Sequence, residues 1–157
     1  MRSRRGLGIS LTLAAGAAVA ALFVATAQGA GTPSTLSFVV QNRGTEFVTA
    51  AGSTNVFPGR LQTGDRIFSR DSLLQGARSI GYDNELCTVT FDNHELCQVM
   101  LVLPGEGQIQ ASWLWIRWPS SFSGVIDGGT GAFAHSAGQF TATVLRNGVL
   151  RITATLR

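Results

Sequence analysis

The chain has 157 residues, with 12 basic and 9 acidic side chains and a formal net charge of +3. Every basic residue is Arg, and Arg2, Arg4 and Arg5 open the chain, which leaves nine against nine for the rest. A composition of 45% hydrophobic and 13% charged residues excludes disorder, and the balanced remainder gives no footing for a nucleic-acid partner.

The first segment reads as an export signal, residues 1–27. A basic start at Arg2, Arg4 and Arg5 precedes an uncharged run rich in Ala, Leu and Val from Gly6 to Ala27. Ala25-Thr26-Ala27 then offers small residues at a cleavage site, with a second site after Ala30. The run approaches bilayer-spanning length, so the competing expectation is an uncleaved anchor, the one route to a membrane partner. Ser3-Arg4-Arg5 hints at twin-arginine export, although Gly8 stands where an apolar residue is expected. The remainder, residues 28–157, has the size of one domain.

Its segments are short, β-branched or aromatic, and punctuated by Gly, Pro, Asn and Asp, with no sustained helical period. Strands are predicted over residues 36–41, 45–50, 66–74, 78–82, 86–91, 96–103, 108–118, 123–127, 140–145 and 149–156. Asn42-Arg43-Gly44, Asp83-Asn84-Glu85, Pro104-Gly105-Glu106-Gly107 and Arg146-Asn147-Gly148 read as turns, the last with a strong two-residue hairpin signal. Residues 51–63 read as the longest loop.

Cys87 and Cys97 flank turn chemistry at Asp92-Asn93-His94. Folding the hairpin there sets the two cysteines opposite each other, close enough for a disulfide. Their spacing is not that of a C-x-x-C redox pair. His94 and His135 join no ligand spacing, so no metal site and no cofactor are expected.

On the strand 108–118, alternation puts Ile109, Ala111, Trp113, Trp115 and Arg117 on one face. Two tryptophans beside one arginine fit the wall of an apolar pocket with a polar anchor; the competing reading, and the plainer one, is a packed aromatic core with Arg117 at the barrel mouth. Large apolar residues on both faces near Trp118 leave a homo-oligomer open. Tyr82 and Glu46, with Asp65, Arg78 and Asp127, are the polar residues considered for an interior face. Asp65 and Asp127 adjoin glycines and also read as turn residues.

Val125-Ile126-Asp127-Gly128-Gly129-Thr130-Gly131-Ala132-Phe133 runs from a β-branched pair into glycines and an aromatic. Locally, Gly128, Gly129 and Gly131 read as a turn that needs positive φ or close approach. Gly129, Gly131 and Ala134 also match a dinucleotide fingerprint, but that motif needs a following helix, a parallel strand and an acid, and residues 139–157 supply none of them.

The stretch resembles the GGTG-aromatic signature of the allene oxide cyclase and dirigent barrels. Gly64-Asp65, Ser79-Ile80-Gly81-Tyr82 and Gly107-Gln108-Ile109 follow that family's order, and the cysteine hairpin is similar to that of its secreted actinobacterial members. The resemblance implies an all-β fold, a single eight-stranded antiparallel barrel that holds an apolar small molecule while it cyclises or couples. Where the family often carries Ala-Arg-Gly, this chain has Ser136-Ala137-Gly138, so the role of that arginine does not transfer. Two functions follow as expectations. One is an exported barrel of isomerase or cyclase type that guides its ligand by holding one conformer. The other is a non-catalytic carrier or surface module.

Overall fold

The computed structural model describes residues 34–116, 119–146 and 149–157. The expected leader, Arg117, Trp118 and the Asn147-Gly148 hairpin signal lie outside the described residues.

The chain builds one antiparallel sheet from β1 (Ser34–Thr49), β2 (Gly52–Thr54), β3 (Arg66–Gln75), β4 (Arg78–Val89), β5 (His94–Leu103), β6 (Gly107–Ile116), β7 (Ser121–Gly131), β8 (Gly138–Val144) and β9 (Leu150–Leu156). Each strand pairs with the next in sequence, except that β2 lies outside β1, and β9 returns to pair with the first half of β1. Eight strands therefore close into a barrel, and β2 is a short extra strand on the second half of β1. Closure leaves those strands without a free edge to template aggregation.

Alternation drives the closure. On β9, Ile152, Ala154 and Leu156 point inward while Arg151, Thr153 and Thr155 face solvent. On β5, Cys97, Val99, Leu101 and Leu103 do the same. Ala111, Ala142 and Ala154 alternate with Phe38, Phe140 and Ile126 in one core cluster. Small and large residues share the interior because a tapering barrel cannot take bulk at every position.

Four strands depart from the sequence expectation, one of them β2, which forms at Gly52–Thr54 inside the stretch read as the longest loop. β1 is continuous, where two strands and a turn are predicted. Asn42 pairs with Asp71 and Gly44 with Arg70, so Arg43 is absorbed as a bulge against an unbroken β3. β4 is continuous too: Asp83, Asn84 and Glu85 lie mid-strand, held by β3 on one side and β5 on the other. β7 runs on through the glycines to Gly131, and Asp127 is a bulge between the Ala111–Ile126 and Gln110–Gly128 pairs. Gly128 and Gly129 are therefore strand residues. The turn falls later, over residues 132–137.

That turn folds Phe133 back into the core, where it is buried against the interior-facing side of Gly129. It closes the barrel end at which Gly107 pairs with Gly131. At the opposite end Trp115, Phe122 and Leu150 are only partly buried and form the mouth.

The cysteine hairpin forms as expected. Asp92 takes the left-handed conformation, with φ of 62°, in the tight connection, and Cys87 pairs directly with Cys97. The two are joined by a disulfide, with Cα atoms 4.0 Å apart, and both sulfurs face the interior. Replacing both by Ala is expected to lower stability by roughly 2–3 kcal/mol in urea titrations, the chain-entropy value for a small loop. Two reactive thiols in the denatured, oxidised wild-type protein would refute the pairing.

Candidate functional site

The interior of the barrel has two unlike walls. On β3 and β4, alternation turns Asp71, Asp83 and Glu85 inward, and Glu95 on β5 sits half-buried near the mouth. Across from them, β6, β7 and β8 present Trp113, Trp115, Phe122 and Phe140. The cavity between the walls, about 40 Å³, is lined by Asp83, Glu85, these aromatics except Trp115, and the aliphatic core. Among the described residues its lining includes no basic side chain. That volume holds a few waters and falls well short of the roughly 150 Å³ that accepts a benzene ring. A ring-sized ligand therefore enters only if side chains at the mouth move.

The acids are held in a chain of contacts. Asn42 Nδ2 donates to Asp71 Oδ1 at 2.8 Å, and the backbone N–H of Asp71 donates to Asp83 Oδ1 at 3.0 Å. Asp83 is only 3% exposed. Burial disfavours its charged form, the Asp71 carboxylate adds repulsion, and the hydrogen bond from Asp71 N–H only partly offsets both, so its pKa rises to about 7. Glu85 is pushed higher, to about 8, first by burial and then by repulsion from Asp83, Asp71 and Glu95. It keeps a little accessible surface facing the lumen, yet protein atoms surround it closely enough for desolvation to dominate. Asp71 is raised by burial against the pull of hydrogen bonds from the Arg43 backbone and Asn42, and Glu95 is raised by burial alone. The interior thus carries protonated carboxylic acid at neutral pH, where an ordinary carboxyl would be ionised.

Glu85 Oε1 also lies 2.9 Å from Cys87 Sγ. The sulfur is in the disulfide and has no proton, so this is a packing contact and not a hydrogen bond. The Glu85, Cys87 and Cys97 ligand atoms lie within 4.8 Å of one another. With the two sulfurs joined, the trio offers no thiolate to a metal.

The aromatic wall is continuous. Trp113 stacks on Phe122 with ring centroids 5.6 Å apart and meets Phe140 edge-on at 5.7 Å. Trp115 packs on Phe122 at 4.7 Å. Trp113 is 8% exposed, and its indole N–H is buried with no hydrogen-bond partner among the described residues. A buried unpaired donor costs roughly 1–3 kcal/mol.

Of the residues singled out from sequence, Trp113 and Trp115 do face the interior, and Arg117 lies outside the described residues. Tyr82 is the correction with the clearest cause. It alternates with Asp83, so it faces outward, where the Arg70 guanidinium sits 4.7 Å from its ring centre. Glu46 also faces out, because the Arg43 bulge reverses the parity of β1 beyond it; it pairs with Phe68 and accepts from Ser53 Oγ. It lines an outer depression with Phe68, Arg70 and Asn84. Arg78 is exposed at the β3–β4 hairpin. Asp65 is a buried turn residue whose carboxylate accepts from Gln62 N–H at 2.7 Å, and Asp127 accepts from Ser112 on the outer wall, also at 2.7 Å. The acids that do face the lumen, Asp71, Asp83 and Glu85, were missed as site residues. Asp83, Glu85, Cys87 and Val89 share one parity, a signal that exists only once β4 runs unbroken through residues 83–85.

Solved structures of the same shape give this arrangement a fold. A pyocyanin demethylase superimposes with a TM-score of 0.66 at 22% identity, over 79% of this chain and all of that one. A pterocarpan synthase dirigent protein gives 0.66 at 13% identity, over 87% and 98%. This is the fold of the dirigent barrels. A Diels–Alderase from Streptomyces koyangensis shares it as well, with a TM-score of 0.59 at 13% identity over 82% of this chain and 70% of that one. No protein-family model and no curated protein matches the sequence. At these identities the likeness to the dirigent barrels establishes architecture, and the chemistry has to be argued from the interior itself.

Proposed function

We propose that this protein is an exported dirigent-type barrel that binds a small, largely apolar molecule in its lumen and guides its cyclisation or coupling, with Glu85 as the general acid. The observation that carries the reading is the buried acid pair Asp83 and Glu85 set against Trp113, Phe122 and Phe140. A purely structural barrel gains nothing from carboxyls whose burial opposes their ionisation, and apolar residues would fill that space at lower cost. A protonated carboxyl near neutral pH is the state a general acid needs. Donating its proton to a ligand oxygen would leave positive charge on the ligand, facing the π surfaces of the opposite wall, which favour a cation. The rest of the rate effect would come from holding one conformer in a dry, shaped cavity. Solved barrels of this fold include a dirigent protein and a Diels–Alderase, which is consistent with such a role. The basic start at Arg2, Arg4 and Arg5 followed by the uncharged run from Gly6 to Ala27 supports the exported part of this proposal.

A second reading, a non-catalytic module, is favoured by one observation: the 40 Å³ cavity. Native mass spectrometry of protein purified from its source, followed by incubation with phenols and conjugated carbonyl compounds, separates the two. The enzymatic reading expects a co-purifying small molecule. It also expects turnover that is level below pH 7, falls above pH about 8, and drops at least ~100-fold in Glu85→Gln, the scale of a lost general acid. An apo mass together with no Glu85-dependent product would leave the structural module standing.

A further inference from the structure

The Trp113 indole N–H stands apart from the acid chemistry above. It is the buried side-chain polar atom without a hydrogen-bond partner among the described residues, on a residue more than nine-tenths buried in the cavity wall. Tryptophan offers a donor and no acceptor at this atom. Phenylalanine would give the same wall without the unpaired donor, as Phe122 and Phe140 beside it do. An unpaired donor on a residue of this wall fits a partner that arrives from outside the chain, and because the atom itself is buried that partner reaches it only when a neighbouring side chain moves; its chemistry is fixed by what an N–H recognises.

Resting on the lumen reading above, we propose that the ligand carries a carbonyl-type acceptor oxygen, and that the Trp113 N–H takes that oxygen as its hydrogen-bond partner. The rest of the ligand is uncharged. An ammonium would offer nothing for the N–H to donate to, and an ionised carboxylate would lose its hydration against a lining that is mostly aromatic and aliphatic among the described residues. A ketone, enone or quinone satisfies both conditions. A hydrocarbon of equal shape leaves the N–H unpaired and binds less well for that reason. Entry needs more room than the cavity of about 40 Å³ gives. Phe122 is the wall residue to yield, because it is only partly buried at the mouth and adjoins Trp113 and Trp115.

The test is a titration of isotopically labelled full-length-fold protein with acetophenone and ethylbenzene, two probes alike in shape of which one accepts a hydrogen bond. The readout is the indole N–H resonance of Trp113, assigned by its disappearance in Trp113→Phe. The expected result is a saturable downfield shift with acetophenone and none with ethylbenzene, and binding of the ketone at least ten-fold tighter. Trp113→Phe should bring the ketone down to the hydrocarbon's affinity while leaving the hydrocarbon within two-fold. Equal binding of both probes with an unmoved N–H overturns this inference and leaves the lumen reading intact. If neither probe binds the wild type, Phe122→Ala widens the mouth for the same titration. Silence there as well overturns both.

Discussion

Raising the pH from about 4 to about 9 is expected to cost this protein several kcal/mol of stability. The cause is the interior acid pair, with Asp83 at about 7 and Glu85 at about 8 in the folded chain against ordinary values of 3.8 and 4.5. Both shifts are upward, so between the unfolded and folded values the native state holds protons that the unfolded chain has released. By linkage, stability then falls as pH rises. It is fully present below about pH 4, declines through the window up to about pH 8, and levels off above it. A shift of about three units corresponds to about 4 kcal/mol for a carboxyl, at 1.36 kcal/mol per unit. That is a large part of the 5–15 kcal/mol typical of a domain. Urea titrations at pH 5, 7 and 9 measure it. Glu85→Gln is isosteric and cannot ionise, so it should flatten the upper part of the profile and be more stable than wild type at pH 9. Asp83→Asn keeps the oxygen that accepts the Asp71 N–H and should flatten the lower part. A wild-type profile level from pH 5 to 9 would show that the carboxyls are not held neutral, and the general-acid proposal would go with it. A gain in stability on removing Glu85 would place this barrel among proteins that carry strain at the working site.

How much of this could be read in advance depends on what each residue looks like alone. The strands whose side chains alternate cleanly, such as Gln139 to Val144 and Leu150 to Leu156, declare themselves. So does the cysteine hairpin, where turn residues at Asp92-Asn93-His94 lie between two apolar arms. Asp83-Asn84-Glu85 does not. Three polar residues with poor strand propensity look like a turn, and only pairing to β3 and β5, distant choices the local sequence does not contain, keeps them extended. Once β4 is continuous, parity alone sends Asp83 and Glu85 into the lumen and Tyr82 out of it. The error in the turn thus hid the acids and misplaced the tyrosine together. Glu46 failed for a related reason, since one bulged residue at Arg43 reverses every side chain after it. Trp113 was legible because its neighbours on both sides alternate. Its unpaired N–H was not, because a missing partner is a property of the packed interior.

The glycine stretch of β7 should divide sharply under substitution, although its members look alike in sequence. Gly129 faces the interior, and a Cβ there would lie 2.5 Å from Gln108 O, 2.6 Å from Phe133 O and 2.8 Å from Phe133 Cβ. Two of those atoms are backbone, so no rotamer change relieves the clash. Gly129→Val is expected to cost about 3 kcal/mol or more, since overpacking alone runs to about 1–3 and displacing the buried Phe133 ring adds part of the roughly 3–5 that Phe133→Ala should cost. Gly131 adds a conformational demand. Its φ is +62°, and a Cβ would meet Glu106 O at 2.3 Å, so a β-branched residue is strained in both respects. Gly128 is the internal control. A Cβ there meets nothing within 4 Å, and Gly128→Ala should be neutral or stabilise by up to about 1 kcal/mol through the unfolded chain. Thermal and urea melts of the four single variants test the ranking. Gly129→Val combined with Phe133→Ala then tests its cause. If Gly129 exists to let Phe133 seal the barrel end, the double variant should lose clearly less than the sum of the two singles, because both break one contact. Strict additivity, or a Gly128 variant as damaged as Gly129, would mean that the stretch is needed for its backbone alone and not to seat the plug.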